Sequence, residues 1–421
     1  MKYAVSAVLA GCLLYSGINL AFCAAEQPTY VEVYNPAGVR DDGIYVDKLL
    51  AKSMKETKRR GPQLAGDFPE VRIEKIKVKT DAFAEINALF YARGWTDGLP
   101  VVLPTPDRVK AMLRGTDLDP KFVVAELDPM NGQATIEKIA VNAVMAGCKP
   151  EYMPVLIAAV TALADPDVDL RGYATTTSPD TTLLILTGPI IKDIDFNAET
   201  NTMGRGRQAN STIGRAIQLI INDIGGSWPG ITDMSSLGSP AEYGWVIAEN
   251  ASANPWTSLN LDVGVPKNAS AVTVMGAEGL RGVIGSGRTS EGFLKLVADH
   301  MAGLAAQRSH WPTVLLVIAK DTAAQLAREG WTKQTIREGI LSFANNPASP
   351  SKSGQELQLG NVSGENSKTQ AQLQIDQFLV LVAGGPGEKS MIIPGWLGAT
   401  KAVSKEIRLP GNWEQIKSSR R

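Results

Sequence analysis

The chain holds 421 residues, with 42 basic and 43 acidic side chains, 44% hydrophobic residues, three cysteines and two histidines. This length carries a large core and, at roughly 100–200 residues per domain, reads as two domains or one large α/β unit. Balanced charge and ordinary apolar content exclude global disorder, and a net charge of −1 gives no basis for a nucleic-acid partner. With only His300 and His310 available, a His-rich zinc centre is disfavoured and a Ser-His-Asp triad has two imidazoles to choose from.

Lys2 is the only charge before Glu26, and the residues between are apolar or small. Residues 1–25 therefore read as a secretory signal peptide, which places the mature protein in the periplasm or outside the cell, without a stable membrane span once the signal is cleaved. Leu9-Ala10-Gly11-Cys12 has the form of a lipoprotein box, but the residues after it stay apolar, so lipid anchoring at Cys12 ranks below simple export. Cleavage after Ala25 removes Cys12 and Cys23 and leaves Cys148 alone, so the mature chain has no internal disulfide.

Residues 26–80 read as an N-terminal extension, in which Lys48, Lys52, Lys55, Lys58, Arg59 and Arg60 follow a helical spacing that suits a solvated face. From residue 81, helix-like and strand-like segments alternate. Helices are expected at 81–93, 107–113, 135–146, 151–164, 211–224, 291–306, 322–328 and 333–343. Strands are expected at 99–103, 122–127, 183–186, 245–248, 271–275, 314–318 and 378–382. Residues 345–372 are polar and read as a mobile segment, and 401–421 as a tail. The alternation predicts an α/β fold with largely parallel sheets covered by helices, in two lobes over 81–200 and 201–400. No strong internal repeat is visible in the sequence.

Five segments carry candidate chemistry. In residues 203–215, Gly204 and Gly206 permit close backbone approach, Asn210 or Ser211 suits a helix cap, and Arg205, Arg207 and Arg215 add positive charge at a helix start. This predicts an anion site, although the buried strand that a dinucleotide fingerprint requires does not precede it. In Arg93-Gly94-Trp95-Thr96-Asp97-Gly98-Leu99-Pro100, Trp95 and Asp97 either shape a pocket or form a tight turn. Near a helix start and Lys149, Cys148 has the surroundings of a thiol with a lowered pKa, while Glu137 lies on the preceding helix. Glu249 and Trp256 follow a strand end, where open α/β sheets place ligand groups, and Asp233 has the same standing as Glu249. Finally, the glycine-rich stretch 383–390 with Lys389 suits either an anion or a plain turn.

Taken together, RGWTDGLPVVLPT at 93–105, ATIEKIAVNAVMAGCKPEYMPV at 134–155, GRGRQANSTIGRAIQLI at 204–220 and AEN…PW at 248–256 resemble a bacterial family whose members accompany, or are fused to, small proteins with a selenocysteine- or cysteine-Gly-Ser-Cys motif. The resemblance implies a thiol- or selenol-containing partner, though this chain has no such motif itself. The expectation is an exported hydrolase or lyase acting on a small anionic molecule. Arg205, Arg207, Arg215, Asn210, Trp95 and Trp256 would bind it, and Cys148, Glu137, Asp97 and Glu249 would carry the chemistry. The alternatives are a periplasmic binding protein and an accessory subunit of a thiol or selenol redox partner. The residues name no cofactor and no metal site.

Overall fold

The computed structural model describes residues 29–36, 73–285, 289–305, 312–344, 378–396, 398 and 400–418. The signal segment 1–25 with Cys12 and Cys23, the basic stretch 48–60, His310 and the segment 345–372 lie outside the described residues. Two antiparallel ribbons come first: β1 (Thr29–Tyr34) with β2 (Ile73–Val78), and β3 (Val123–Leu127) with β4 (Gly132–Thr135). The main body is built on β5 (Thr181–Thr187), β6 (Val246–Ala248), β7 (Ala271–Ala277), β8 (Arg281–Ile284), β9 (Val314–Ile318), β10 (Phe378–Val382), β11 (Lys389–Pro394) and β12 (Val403–Glu406).

These eight strands form two four-stranded sheets, ordered β12-β7-β5-β6 and β10-β9-β11-β8. Both are mixed. Only β5 with β6 and β9 with β10 run parallel, and the remaining neighbours are antiparallel, which corrects the expectation of largely parallel sheets. Strands buried on both faces read as continuous apolar runs in either direction, so the sequence pattern does not carry strand polarity.

Alternation of side chains across each strand explains the layering. Leu183, Ile185, Ile247 and Met275 of one sheet share a buried cluster with Leu315, Val317, Leu381 and Ile393 of the other, so the sheets pack face to face. Leu184, Leu186, Val272 and Val274 point the other way, onto helices Ile136–Ala146, Met153–Leu163 and Gln208–Ile220. Leu316, Ile318, Val380 and Val382 do the same toward helices Ser290–Ala305, Lys320–Arg328 and Lys333–Ala344. The result is four layers, helix, sheet, sheet and helix. A boundary at 200/201 cuts the first sheet, because β5 pairs with β6 and β7; the two sheets do not follow the expected 81–200 and 201–400 lobes.

The two sheets repeat one path. In each, a central strand is followed by a parallel edge strand and then by an antiparallel neighbour on its other side. The fourth strands are exchanged: β8 follows β7 but pairs with β11, and β12 follows β11 but pairs with β7. The registers match residue for residue. Val274 faces Leu184 and Val403 as Ile392 faces Leu316 and Arg281, and Leu184 faces Val246 as Leu316 faces Val380. At the crossing, the Glu278 N–H donates to Pro394 O (3.1 Å) and the Trp396 N–H donates to Gly276 O (3.1 Å), a reciprocal pair about an internal two-fold.

Candidate functional site

Helix Gln208–Ile220 packs on the outer face of the first sheet, and its Arg215 reaches the loop after helix Ala82–Ala92. Gly94 (φ 71°) and Gly98 (φ 90°) turn that loop in the left-handed region, which glycine adopts freely. Between them Asp97 accepts the Leu99 N–H (3.1 Å) and a two-bond fork from Arg215, Nε to Oδ2 at 2.7 Å and Nη2 to Oδ1 at 2.9 Å. Arg215 Nη2 also donates to Pro100 O (3.0 Å). Asp97 is thus both a turn residue and half of a largely buried ion pair, and Arg215 is committed to it.

Beyond Arg215 the same helix passes into a π-helical turn, Ile221–Gly225, closed by Gly226 in the left-handed conformation (φ 79°). Such turns widen a helix locally and recur at functional sites. The following loop is pinned by its own backbone: Trp228 O accepts the N–H groups of Ile231, Thr232 and Asp233 at 3.0–3.1 Å. The Thr232 hydroxyl accepts from Trp228 N and donates to Gly226 O. A short helical turn, Pro240–Tyr243, is closed by a capping box in which Glu242 Oε1 accepts the Ser239 N–H at 2.7 Å.

These pieces enclose a cleft of about 710 Å³, lined by Tyr91, Thr96 and Asp97 on one side and by Asn222, Trp228, Leu237, Glu242 and Tyr243 on the other. Among the described lining residues there is no Lys or Arg. Three carboxyl groups in this region have raised pKa values. Burial raises Glu242, with the Asp233 charge adding to it, and burial likewise raises Asp233. Asp223 lies in the π turn and is 3% exposed. Its pKa stands well above the ordinary range because of burial, reinforced by the charge on Asp97, and neither of its oxygens has a hydrogen-bond partner. Trp228 Nε1 is likewise buried and unpartnered.

The other expected site residues lie elsewhere or are already engaged. Trp95 packs edge-on against Phe90 (5.2 Å between ring centres), with the Arg93 guanidinium 4.7 Å from its own ring centre, so it belongs to the core. Cys148 donates through Sγ to Thr212 O (3.3 Å), and burial pushes its thiol up to about 12, opposite to the lowering expected from a helix start. It lies close enough to Arg215 to feel its charge, but desolvation dominates. Arg207 pairs with Asp195 at the surface (3.0 Å), and Arg205 is exposed. Asn210 does not cap the helix. Its amide accepts Asn197 N–H and donates to Asn197 O and Thr202 O, closing the loop that precedes the helix.

Burial raises the Tyr34 pKa, and Glu137, which bonds the Tyr34 side chain, adds to the rise. Glu249 is fully engaged by Asn254 Nδ2 (2.8 Å), Leu259 N (3.0 Å) and the Ser258 hydroxyl, which makes it the anchor of the loop after β6. Trp256 donates from Nε1 to Trp331 O (2.8 Å) and packs on the second core. The glycine-rich turn after β10 borders a second cavity of about 660 Å³ with Thr200, Asn201 and Lys389, where Asp321 Oδ2 accepts the Gly387 N–H. Of the expected residues, Asp97, Arg215 and Cys148 are neighbours, whereas Glu137 and Glu249 are engaged by separate partners. Sequence reasoning missed Asp223, Glu242, Trp228, Tyr91 and Tyr243.

Among the described residues no group of three or more His, Cys, Asp or Glu side chains is arranged to hold a metal ion, and no helix is long and apolar enough to cross a membrane. Comparison with family models, curated proteins and solved structures returned no match.

Proposed function

We propose that the protein is an enzyme of hydrolase or lyase type that acts on a small organic molecule held in the cleft between Tyr91, Asp97, Trp228 and Glu242. The observation that carries this reading is a cleft lined by Asp97 and Glu242, each with a second carboxyl close enough to couple to it: Asp233 acts on Glu242, and the Asp97 charge acts on the buried Asp223. A carboxyl raised toward neutral pH is how a site keeps a proton donor or acceptor ready there. Glu242 lines the cleft and is the general acid or base, and the nearby Asp233 charge tunes it.

The anionic substrate expected from the arginines loses its main support, because Arg215 and Arg207 are paired with Asp97 and Asp195 and only Arg205 is left to it. The raised thiol of Cys148 favours a mechanism without a cysteine nucleophile. The apolar start of the chain favours an exported location, and the resemblance to thiol-associated proteins favours, at most, a docking partner rather than thiol chemistry in this chain.

Incubation of the purified protein with a metabolite extract tests the enzyme reading. A metabolite should be consumed by the wild type and spared by Glu242→Gln, which retains an acceptor for Ser239 N–H. Retention of a metabolite unchanged by the wild type would make the protein a binding protein instead.

A further inference from the structure

Resting on the reading that this cleft is the ligand site, we infer that its ligand is an organic ammonium compound, held by Tyr91, Trp228 and Tyr243 and by the Glu242 carboxylate. Three aromatic side chains line the cleft with two carboxylates and no Lys or Arg among the described residues. Aromatic faces attract cations through the negative side of the ring, and substituted ammonium groups are the ligands such cages select. Arg215 matches Asp97 one for one. Among the described residues no cation pairs with Glu242 or Asp233, and the Asp233 charge adds to the burial that raises the Glu242 carboxyl. A positive ligand relieves the repulsion between the two, and an anionic one adds to it.

A metal ion fits poorly, because the carboxylates are spread along the cleft and no three of them converge.

Calorimetric titration of the full chain with choline, with its uncharged carbon isostere 3,3-dimethylbutan-1-ol and with tetramethylammonium tests the inference. Choline and tetramethylammonium should each bind at least tenfold more tightly than the isostere. Glu242→Gln removes the charge and Tyr243→Ala the ring face: the first should weaken choline about tenfold and the second about threefold. Binding should also release protons, as a cation lowers the pKa of the adjacent carboxyl. Equal binding of choline and the isostere would overturn the ammonium class while leaving the cleft as the ligand site. Failure of all three probes would overturn it as well, and the enzyme reading is then judged separately by whether the extract is consumed.

Discussion

Arg215 grips Asp97 from 118 residues away, through two parallel bonds of 2.7 and 2.9 Å, and so ties the outer helix of the first sheet to the loop that forms one wall of the cleft. The pair is largely buried, at 15% and 7% side-chain exposure. Removing one partner strands the other charge. Arg215→Ala and Asp97→Ala should each lose roughly 3–5 kcal/mol in urea unfolding, as broken buried pairs do. The double variant should lose clearly less than the sum of the two.

Asp223 makes stability depend on pH in a defined direction. Its folded pKa is raised, so between the unfolded value and the folded one the native state binds more protons than the unfolded chain. Stability from this group is complete below the unfolded pKa and is lost as pH rises through the folded pKa. The difference in unfolding free energy between wild type and Asp223→Asn should therefore move in favour of the variant as pH rises above the unfolded value, by up to about 1.4 kcal/mol per pH unit until the folded pKa is passed. Parallel pH profiles for the two proteins would show that the carboxyl is not held protonated.

Much of the element map is legible in the sequence. Val314–Ile318 and Phe378–Val382 are strands at the expected boundaries, and the expected helix at 211–224 is present as Gln208–Ile220 with its π extension. Their apolar periodicity follows from burial, which local sequence records. Pairing is not recorded in the same way. β8 and β12 are four-residue strands with mostly exposed or half-buried residues, so they carry little apolar signal, and their exchange between sheets is set by partners far along the chain. The site shows the same division. Asp97 and Arg215 stand out by residue type and by nearby glycines, but their mutual bond depends on tertiary placement. Asp223 sits in an apolar helix end as an ordinary-looking acid, and only its burial beside Asp97 makes it unusual.

Cys148 should be a slow thiol. With its pKa pushed up to about 12, alkylation of the native protein by iodoacetamide at pH 8 should run about a thousandfold slower than that of an ordinary exposed cysteine, since the thiolate is the reacting species. Rapid modification would restore a nucleophilic role. Cys148→Ser should leave activity in the extract assay unchanged.

Glu249→Ala should destabilise without acting on the cleft. The substitution removes the acceptor for Asn254 Nδ2, Leu259 N and the Ser258 hydroxyl, and a loss of about 2–4 kcal/mol follows if each bond contributes its usual net amount. Ligand affinity measured well below the unfolding transition should stay at the wild-type value. A change in affinity with no loss of stability would move Glu249 back into the ligand site.

The exchanged strands make each half of the main body depend on the other. Residues 1–285 contain β5, β6, β7 and β8 but not β12, which completes their sheet beside β7; residues 286–421 contain β9 to β12 but not β8. Either piece alone therefore exposes an open strand edge and an apolar sheet face that normally packs on the other sheet, a combination that favours aggregation. Expressed together as two chains, they should co-purify as a folded one-to-one complex, because β8 and β12 each supply the edge the other half lacks. Expressed singly, each should be insoluble or lack a cooperative unfolding transition. A second disruption acts at the crossing itself: a Cβ at Gly395 would lie 2.6 Å from Thr313 O and 3.0 Å from Thr400 Cγ2, so Gly395→Ala should lower the melting temperature of the intact chain and weaken reassembly of the two pieces. Independent folding of either piece would mean that the sheets are separable domains and that the exchange is not what joins them.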